Sequence, residues 1–240
     1  MTQGGVPTTK AGTGRTIGKA ALERLLVESA PETGEPASTL YLRPGEGQEF
    51  LESLGATGQD WRERLTKLND SILDSGTGLA VLRSGDQCLV VAPPFPLPES
   101  LFFSSWDLST LLLLLKSEFT LGVVLLRLGR SSVAVYRGGK LISSKTDARY
   151  VKERHSVGGT SQQRFERIRE GQIQRLYDKT CLALRAQFEP YADRLRYVLL
   201  GGESQTLNGF LKACDHLGRF KDKVLDRRLN VRDPKRDTLE

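Results

Sequence analysis

A glycine pair that runs into two glutamines is the part of this chain whose residue types and spacing could do chemistry. The segment reads Gly158, Gly159, Thr160, Ser161, Gln162 and Gln163. Glycines allow backbone conformations that are closed to other residues and let the backbone approach a partner closely. A glutamine side chain can both donate and accept hydrogen bonds. The pattern indicates a polar tip that delivers amide groups to a reaction centre.

Basic residues surround this segment on both sides. The stretch before it contains Arg154 and His155, and the residues after it include Arg164, Arg167, Arg169 and Arg175. Arginine side chains neutralise backbone phosphates, so this field favours contact with nucleic acid. His155 is interpreted as one more phosphate-facing donor rather than as a general base. From these residues alone, contact with nucleic acid is favoured over catalysis.

Other chemistries are poorly supported. The chain has only two histidines and lacks the GxSxG and HExxH motifs. The carboxylates Glu166, Glu170 and Asp178 are expected to form ion pairs on a helix surface rather than an acid–base pair. The three cysteines, Cys88, Cys181 and Cys214, lie far apart and predict neither a zinc site nor a disulfide framework. We therefore expect no cofactor and no metal.

Composition sets wider limits. A length of 240 residues allows one or two domains, and a formal net charge of +6 permits a polyanionic partner. The run Leu111–Leu115 is far shorter than the ~20 apolar residues of a membrane-spanning helix, so we predict a buried core helix there. We expect a cytoplasmic, monomeric protein without a membrane segment.

The elements needed to position the glutamines follow from hydrophobic periodicity. Residues 1–38 are expected to be a largely disordered leader that can hold a short helix, and residues 39–120 an amino-terminal α/β region. In residues 121–240, strands precede a long amphipathic helix from Ser161 to Phe188, and strand and helix alternate after it. This order predicts an α/β fold with a mixed sheet covered by helices. The residues of the long helix expected to face inward are Phe165, Ile168, Ile173, Leu176, Leu184 and Phe188.

The segment Arg154–Arg167 resembles the central domain of eukaryotic and archaeal class-1 peptide-chain release factors. In that domain a basic loop presents Gly-Gly-Gln, and an Arg-Phe-x-Arg helix follows. The segment is most similar to the Vms-like branch, in which a GxxQ pattern, here Gly159-Thr160-Ser161-Gln162, replaces Gly-Gly-Gln. The resemblance extends to Val123–Tyr136, Ser144–Val151, Arg196–Gly202 and Val231–Arg236. The amino-terminal part from about Thr39 looks similar to the bacterial members.

The resemblance implies an RNase H-like fold for residues 121–240 and hydrolysis of the ester that joins a nascent peptide to tRNA. It implies action on stalled chains, independent of a stop codon, with the large ribosomal subunit, peptidyl-tRNA and ribosomal RNA as partners. Gln162 would be the catalytic amide, and Gly158 and Gly159 would let the loop enter a narrow centre. A glutamine cannot act as a general base at neutral pH, but it can orient a water and help to stabilise an oxyanion. No metal or nucleotide would be required.

Two alternatives stay open. With the Arg-Phe pair held in register, the Gly-Gly-Gln glutamine falls on Thr160, so Gln163 competes with Gln162. The second alternative is a non-catalytic ribosome- or RNA-binding factor, in which the loop only docks.

Overall fold

The computed structural model describes residues 6–10, 13–68, 72–85, 87–148, 151 and 160–239. The chain divides into two compact units, Thr2–Ser117 and Glu118–Glu240. The sequence placed this boundary between residues 120 and 121. Each unit is built around a sheet of its own.

The amino-terminal unit contains a six-stranded antiparallel sheet in the order β2-β1-β5-β4-β3-β6. Its strands are β1 Val6–Lys10, β2 Thr13–Ile17, β3 Ala37–Leu42, β4 Leu79–Ser84, β5 Gln87–Val91 and β6 Leu101–Phe103. Its helices are α1 Lys19–Glu28, α2 Gly47–Ser53, α3 Ala56–Leu68 and α4 Ser109–Lys116. The core forms where Trp61 and Leu65 of α3 pack with Leu40 of β3 and Val81 of β4.

The first two strands differ from the expected disordered leader. β1 and β2 pair with each other, with Val6 opposite Ile17, and β1 also pairs with β5, with Thr8 opposite Val91. The glycines of this segment indicated disorder, whereas its valine and threonines favour extended structure. The pairing with β5 supplies the long-range partner that a local pattern does not show.

The leucine run at 111–115 lies in α4, where Leu111, Leu114 and Leu115 are buried as expected of a core helix. Across the described part of the chain, no helix combines the length and the apolar character that a membrane span needs.

The carboxy-terminal unit contains a five-stranded mixed sheet in the order β11-β10-β7-β8-β9. Its strands are β7 Thr120–Arg127, β8 Arg130–Arg137, β9 Lys140–Ala148, β10 Leu195–Gly202 and β11 Val224–Leu229. Its helices are α5 Thr160–Phe188, α6 Ser204–Ala213 and α7 Asp215–Gly218. The first three strands are antiparallel, and β10 runs parallel to both β7 and β11. The expected α/β fold with a mixed sheet covered by helices is confirmed, and the RNase H-like assignment stays a prediction.

Helices cover one face of this sheet. Val124 of β7 packs with Leu184 and Phe188 of α5 and with Phe210 of α6. A Cβ at Gly122 would lie 2.5 Å from Cζ of Phe188, so the phenyl ring rests directly on the backbone of β7. This contact fixes the carboxy-terminal end of α5 on the sheet.

The end of the chain covers the other face. Val123 and Leu125 alternate with Val124 along β7, so they point to the opposite side, where they pack with Val231 and Leu239. The buried hydroxyl of Ser132 donates a hydrogen bond of 2.7 Å to the carbonyl of Pro234. The chain after β11 is therefore part of the fold.

A disulfide joins Cys181 of α5 to Cys214, which follows α6. The expectation that no cysteines would pair was wrong for these two. They are 33 residues apart in sequence, but packing of α5 against α6 brings their Cα atoms within 5.5 Å. Cys88 is a free thiol, and burial raises its pKa.

We expect reduction of this disulfide to lower the free energy of unfolding of the unit by about 3 to 4 kcal/mol, because the unfolded chain regains the freedom of a long loop. Urea denaturation of the full chain with and without a phosphine reductant measures this change, and hydrogen exchange at β7 and β10 reports on this unit. In the matched control, Cys181→Ser, the reductant should have no effect. Equal stability of oxidised and reduced wild-type protein would contradict the prediction.

Candidate functional site

The helix that carries the candidate glutamines extends beyond the core of its own unit. α5 has 29 residues, which corresponds to a length of about 43 Å. Side chains 162–170 are all exposed or partly exposed, and Ile173 is the first that packs against the core. Gln162 therefore lies about 16 Å along the helix from that anchor. We call residues 160–172 the projecting half of α5.

Two side chains expected to face inward lie on this projecting half. Phe165 is 49% exposed and Ile168 is 36% exposed, so their predicted burial was wrong. The prediction holds from Ile173 onward, where Leu176, Leu184 and Phe188 lie in the core. Apolar spacing identifies a helix face, but it does not show where the sheet beneath that face ends.

The structure gives the two glutamines different surroundings. Gln162 is partly exposed, and its Nε2 donates to Oε1 of Glu166 at 3.3 Å. Helical spacing also places it on the same side of α5 as Ile173. Gln163 is exposed, on the side of the helix that carries Arg167. Gln162 thus has a positioned amide group that keeps its oxygen as an acceptor.

Sequence reasoning missed the pairing of Gln162 with Glu166. Glu166 was expected to pair with an arginine, but the structure shows it accepting from the amide one turn before it. Asp178 likewise accepts from Nε2 of Gln174 at 2.9 Å. The i,i+4 spacing was the available signal, since glutamine and carboxylate side chains at that spacing meet on a helix.

Part of the predicted site lies outside the described residues. Arg154, His155, Gly158 and Gly159 belong to this part, and Thr160 and Ser161 are described as the backbone of the first turn of α5. The described chain resumes there after β9, which ends at Ala148, and the single residue Val151.

The beginning of α5 is electrostatically suited to a negative partner. The first backbone N–H groups of a helix have no acceptor within the helix, and the aligned peptide dipoles make that end positive. The first turn contains no acidic residue that would compensate this charge. An anion or a developing oxyanion beside Gln162 would therefore be stabilised.

Arginines add to this field along the helix. Arg164, Arg167 and Arg175 are exposed, whereas Arg169 is partly buried. Residues 160–175 include four arginines and two glutamates, which gives this stretch a net charge of +2. Four of the six predicted phosphate-binding side chains thus lie on one helix, and Arg154 and His155 lie outside the described residues.

Arg169 and Glu203 both influence the phenol of Tyr177. Burial raises the pKa of Tyr177, Arg169 opposes this increase, and Glu203 adds to it. These effects place Arg169 and Glu203 within electrostatic reach of one phenol.

No group of three histidine, cysteine or acidic side chains converges as a metal site within the ranges that the structure describes. The chemistry available there is that of amides, backbone N–H groups and guanidinium groups.

Sequence comparison identifies the class of protein that this chain resembles. Over 123 residues it is 30% identical to peptide chain release factor subunit 1 of Archaeoglobus fulgidus, a match that covers 50% of this chain and 30% of that protein. It is 28% identical over 139 residues to the same factor of Methanopyrus kandleri, covering 57% of this chain and 34% of that protein. The matched region spans about a third of the length of these curated relatives.

Residues 119–240 match the family described as the Actinobacteria/chloroflexi VLRF1 release factor. The match covers just over half of the chain, so the chain belongs to this family and the resemblance of its second half is confirmed. The family match begins at residue 119, and the resemblance of residues 39–118 stays a prediction.

Two solved structures align with this chain at low similarity. The archaeal termination factor aRF1 aligns with a TM-score of 0.38 and 19% identity, covering 90% of this chain and 67% of that chain. Pelota of Archaeoglobus fulgidus aligns with a TM-score of 0.32 and 9% identity, covering 98% of this chain and 60% of that chain.

The exposure of the projecting half predicts an asymmetric response to truncation. Leu176→Ala should lower the free energy of unfolding by about 2 to 4 kcal/mol, because Leu176 is 1% exposed and a cavity would remain. Ile168→Ala should cost about 1 kcal/mol, since Ile168 is already 36% exposed and alanine is the better helix former. Urea denaturation of both variants measures the contrast. Equal losses would mean that Ile168 is packed.

Proposed function

We propose that this protein is a peptidyl-tRNA hydrolase that releases nascent chains from stalled large ribosomal subunits without reading a codon. The observation that carries the proposal is the position of Gln162, in the first turn of an exposed, arginine-bearing helix in a member of a release-factor family. A projecting helix suits a site formed inside a larger complex, because the tip can enter a cleft while the sheet stays outside.

The reaction would be attack of water on the carbonyl carbon of the ester. The amide oxygen of Gln162 would accept a hydrogen bond from the water and orient it. The new bond forms between the water oxygen and the carbonyl carbon, and the bond from that carbon to the ribose oxygen of tRNA breaks. The proton lost by the water ends on that ribose oxygen. The peptide leaves with a free carboxyl group.

The developing oxyanion would lie at the beginning of α5. Backbone N–H groups there, together with Nε2 of Gln162, can donate to the negative oxygen. The bond from Nε2 to Glu166 is 3.3 Å long, so its loss on docking would cost little. In the free protein, Glu166 would hold the amide in one orientation.

The arginines of the projecting half would meet RNA phosphates. Arg164 and Arg167 are exposed, about one and two turns after Thr160, where α5 begins. A surrounding RNA would approach the helix there. The proposed partners are the large ribosomal subunit, its RNA and peptidyl-tRNA. The proposed location is the cytoplasm, and the proposed active form is a monomer.

The test uses large ribosomal subunits that carry peptidyl-tRNA, with wild-type, Gln162→Ala and Gln163→Ala proteins. We expect wild type to release the peptide and Gln162→Ala to slow release on the order of 10²-fold, as when one oxyanion donor is lost. Gln163→Ala, the matched control one residue away, should change the rate by less than about threefold, because its side chain lies on another side of the helix. Single-turnover rates measure the difference.

Three results would count against the proposal. Release undiminished in Gln162→Ala would overturn the assignment of that residue, and loss confined to Gln163→Ala would transfer the role to Gln163. Binding of subunits by a wild-type protein that releases nothing would favour the non-catalytic factor. Co-sedimentation of each variant with the subunits separates binding from release.

A further inference from the structure

A second group of basic side chains lies at one edge of the mixed sheet. Arg127 and Arg130 flank the turn between β7 and β8, and they lie opposite each other in the register. Nη1 of Arg127 donates to the carbonyl of Arg232 at 2.7 Å, and Nη1 of Arg130 contacts both carboxylate oxygens of Asp233 at 2.7 and 2.9 Å. Nζ of Lys235 lies 3.3 Å from the same carboxylate. We call Arg127, Arg130, Arg232 and Lys235 the edge cluster.

The charge of the edge cluster is only partly compensated. Two of its four cations, Arg130 and Lys235, contact the carboxylate of Asp233. These four cations and one carboxylate together have a net charge of +3. The side chain of Arg232 is exposed and has no acceptor among the described residues. A concentration of exposed positive charge of this kind attracts a polyanion.

The sheet topology places this cluster beside the end of β9 and the beginning of α6. Arg130 lies opposite Ala148, the last residue of β9. Leu126, next to Arg127, lies opposite Gly202, where β10 ends and the chain turns into α6. The edge cluster, the end of β9 and the beginning of α6 therefore share one edge of the sheet. Arg127 alternates with Leu126 and so lies on the face covered by the chain end, opposite α5. An RNA that contacted both α5 and the cluster would cross this edge.

The backbone geometry of the cluster is fixed by packing. Ser132 holds Pro234 by a hydrogen bond to its carbonyl, and Val231 is buried against β7. The backbone of Arg232 thus lies between these two anchors, and Lys235 lies between Pro234 and the buried Leu239. Preorganised cations lose less entropy on binding than cations on a loose tail.

We propose that the edge cluster is a second RNA-binding surface, which contacts the phosphate backbone of the RNA that Gln162 approaches. This inference rests on the proposed function for the identity of the RNA, and on the cluster itself for the contact. The bound chemistry is a run of phosphates, supplied either by tRNA or by ribosomal RNA.

The test measures binding by the full chain and by Arg232→Gln/Lys235→Gln. One probe is deacylated tRNA with a 5′ fluorescein label, followed by anisotropy, and the other is purified large subunits without tRNA, followed by co-sedimentation. We expect the double variant to bind at least one of these two probes about tenfold more weakly than wild type at ~100 mM salt. The slope of log K against log salt should fall by about 1 to 2. Loss with labelled tRNA assigns the surface to tRNA, and loss only with subunits assigns it to ribosomal RNA.

The matched control is Lys212→Gln/Lys221→Gln, which removes the same charge from the same unit. Both lysines are exposed, and they lie near the end of α6 and before the start of β11, at the opposite edge of the sheet. This control should weaken binding less than about twofold. Thermal melting of both variants confirms that each is folded, and neither changes a buried contact.

The outcomes separate this inference from the proposed function. Equal losses in the two double variants, an unchanged salt slope, or a wild type that binds neither probe would overturn the edge cluster. Wild-type protein that releases no peptide would overturn the hydrolase proposal. If its RNA binding is nevertheless weakened only by Arg232→Gln/Lys235→Gln, the edge cluster is supported. If wild type releases peptide normally and Arg232→Gln/Lys235→Gln binds RNA as well as Lys212→Gln/Lys221→Gln does, the hydrolase is supported and the edge cluster is overturned.

Discussion

The packing of the second half of α5 against the mixed sheet is the constraint on which the rest of the carboxy-terminal unit depends. Leu184 and Phe188 lie in the core formed with β7, β8 and β10, and Gly122 leaves room for the phenyl ring. Because this half is anchored, the other half can extend into solvent as a continuous helix. The position of the candidate glutamines is therefore decided far from them, by aliphatic and aromatic contacts.

The two faces of the sheet are covered by different means. α5 and α6 cover one face, and a disulfide joins them, whereas the last residues of the chain cover the other face in largely irregular conformation. Alternation along β7 serves both faces, since Val124 points to the helices and Val123 and Leu125 point to the chain end. The terminal segment does two things at once, because it closes the core through Val231 and presents Arg232 to solvent.

The sequence predicted the helices and strands better than it predicted which of their side chains are buried. Local patterns such as the long periodic stretch 161–188 predicted α5 closely, because such patterns carry the helix period. The same patterns could not show where α5 leaves the sheet, so Phe165 and Ile168 were assigned to the core. They also could not show that Cys181 meets Cys214, since that contact depends on the packing of two helices.

The candidate site divides in the same way. The residue types near Gln162 indicated RNA contact, and the resemblance to release factors supplied the catalytic reading. What the sequence could not supply was orientation: the amide of Gln162 is held by Glu166, while Gln163 faces another side of the helix. The edge cluster escaped sequence reasoning because Arg127 and Arg232 are over a hundred residues apart and meet only through the fold.

Because the projecting half is long, a small rotation of α5 moves its first turn by a large distance. A tilt of about 10° at the anchor would displace the tip by about 3 Å over the 16 Å between them. Errors of about 1 Å in the placement of reacting groups are enough to slow a reaction strongly. A small repacking beneath Ile173 would therefore displace Gln162 without altering any atom near it. The position of the first turn of α5 is therefore set by the anchored half of the helix.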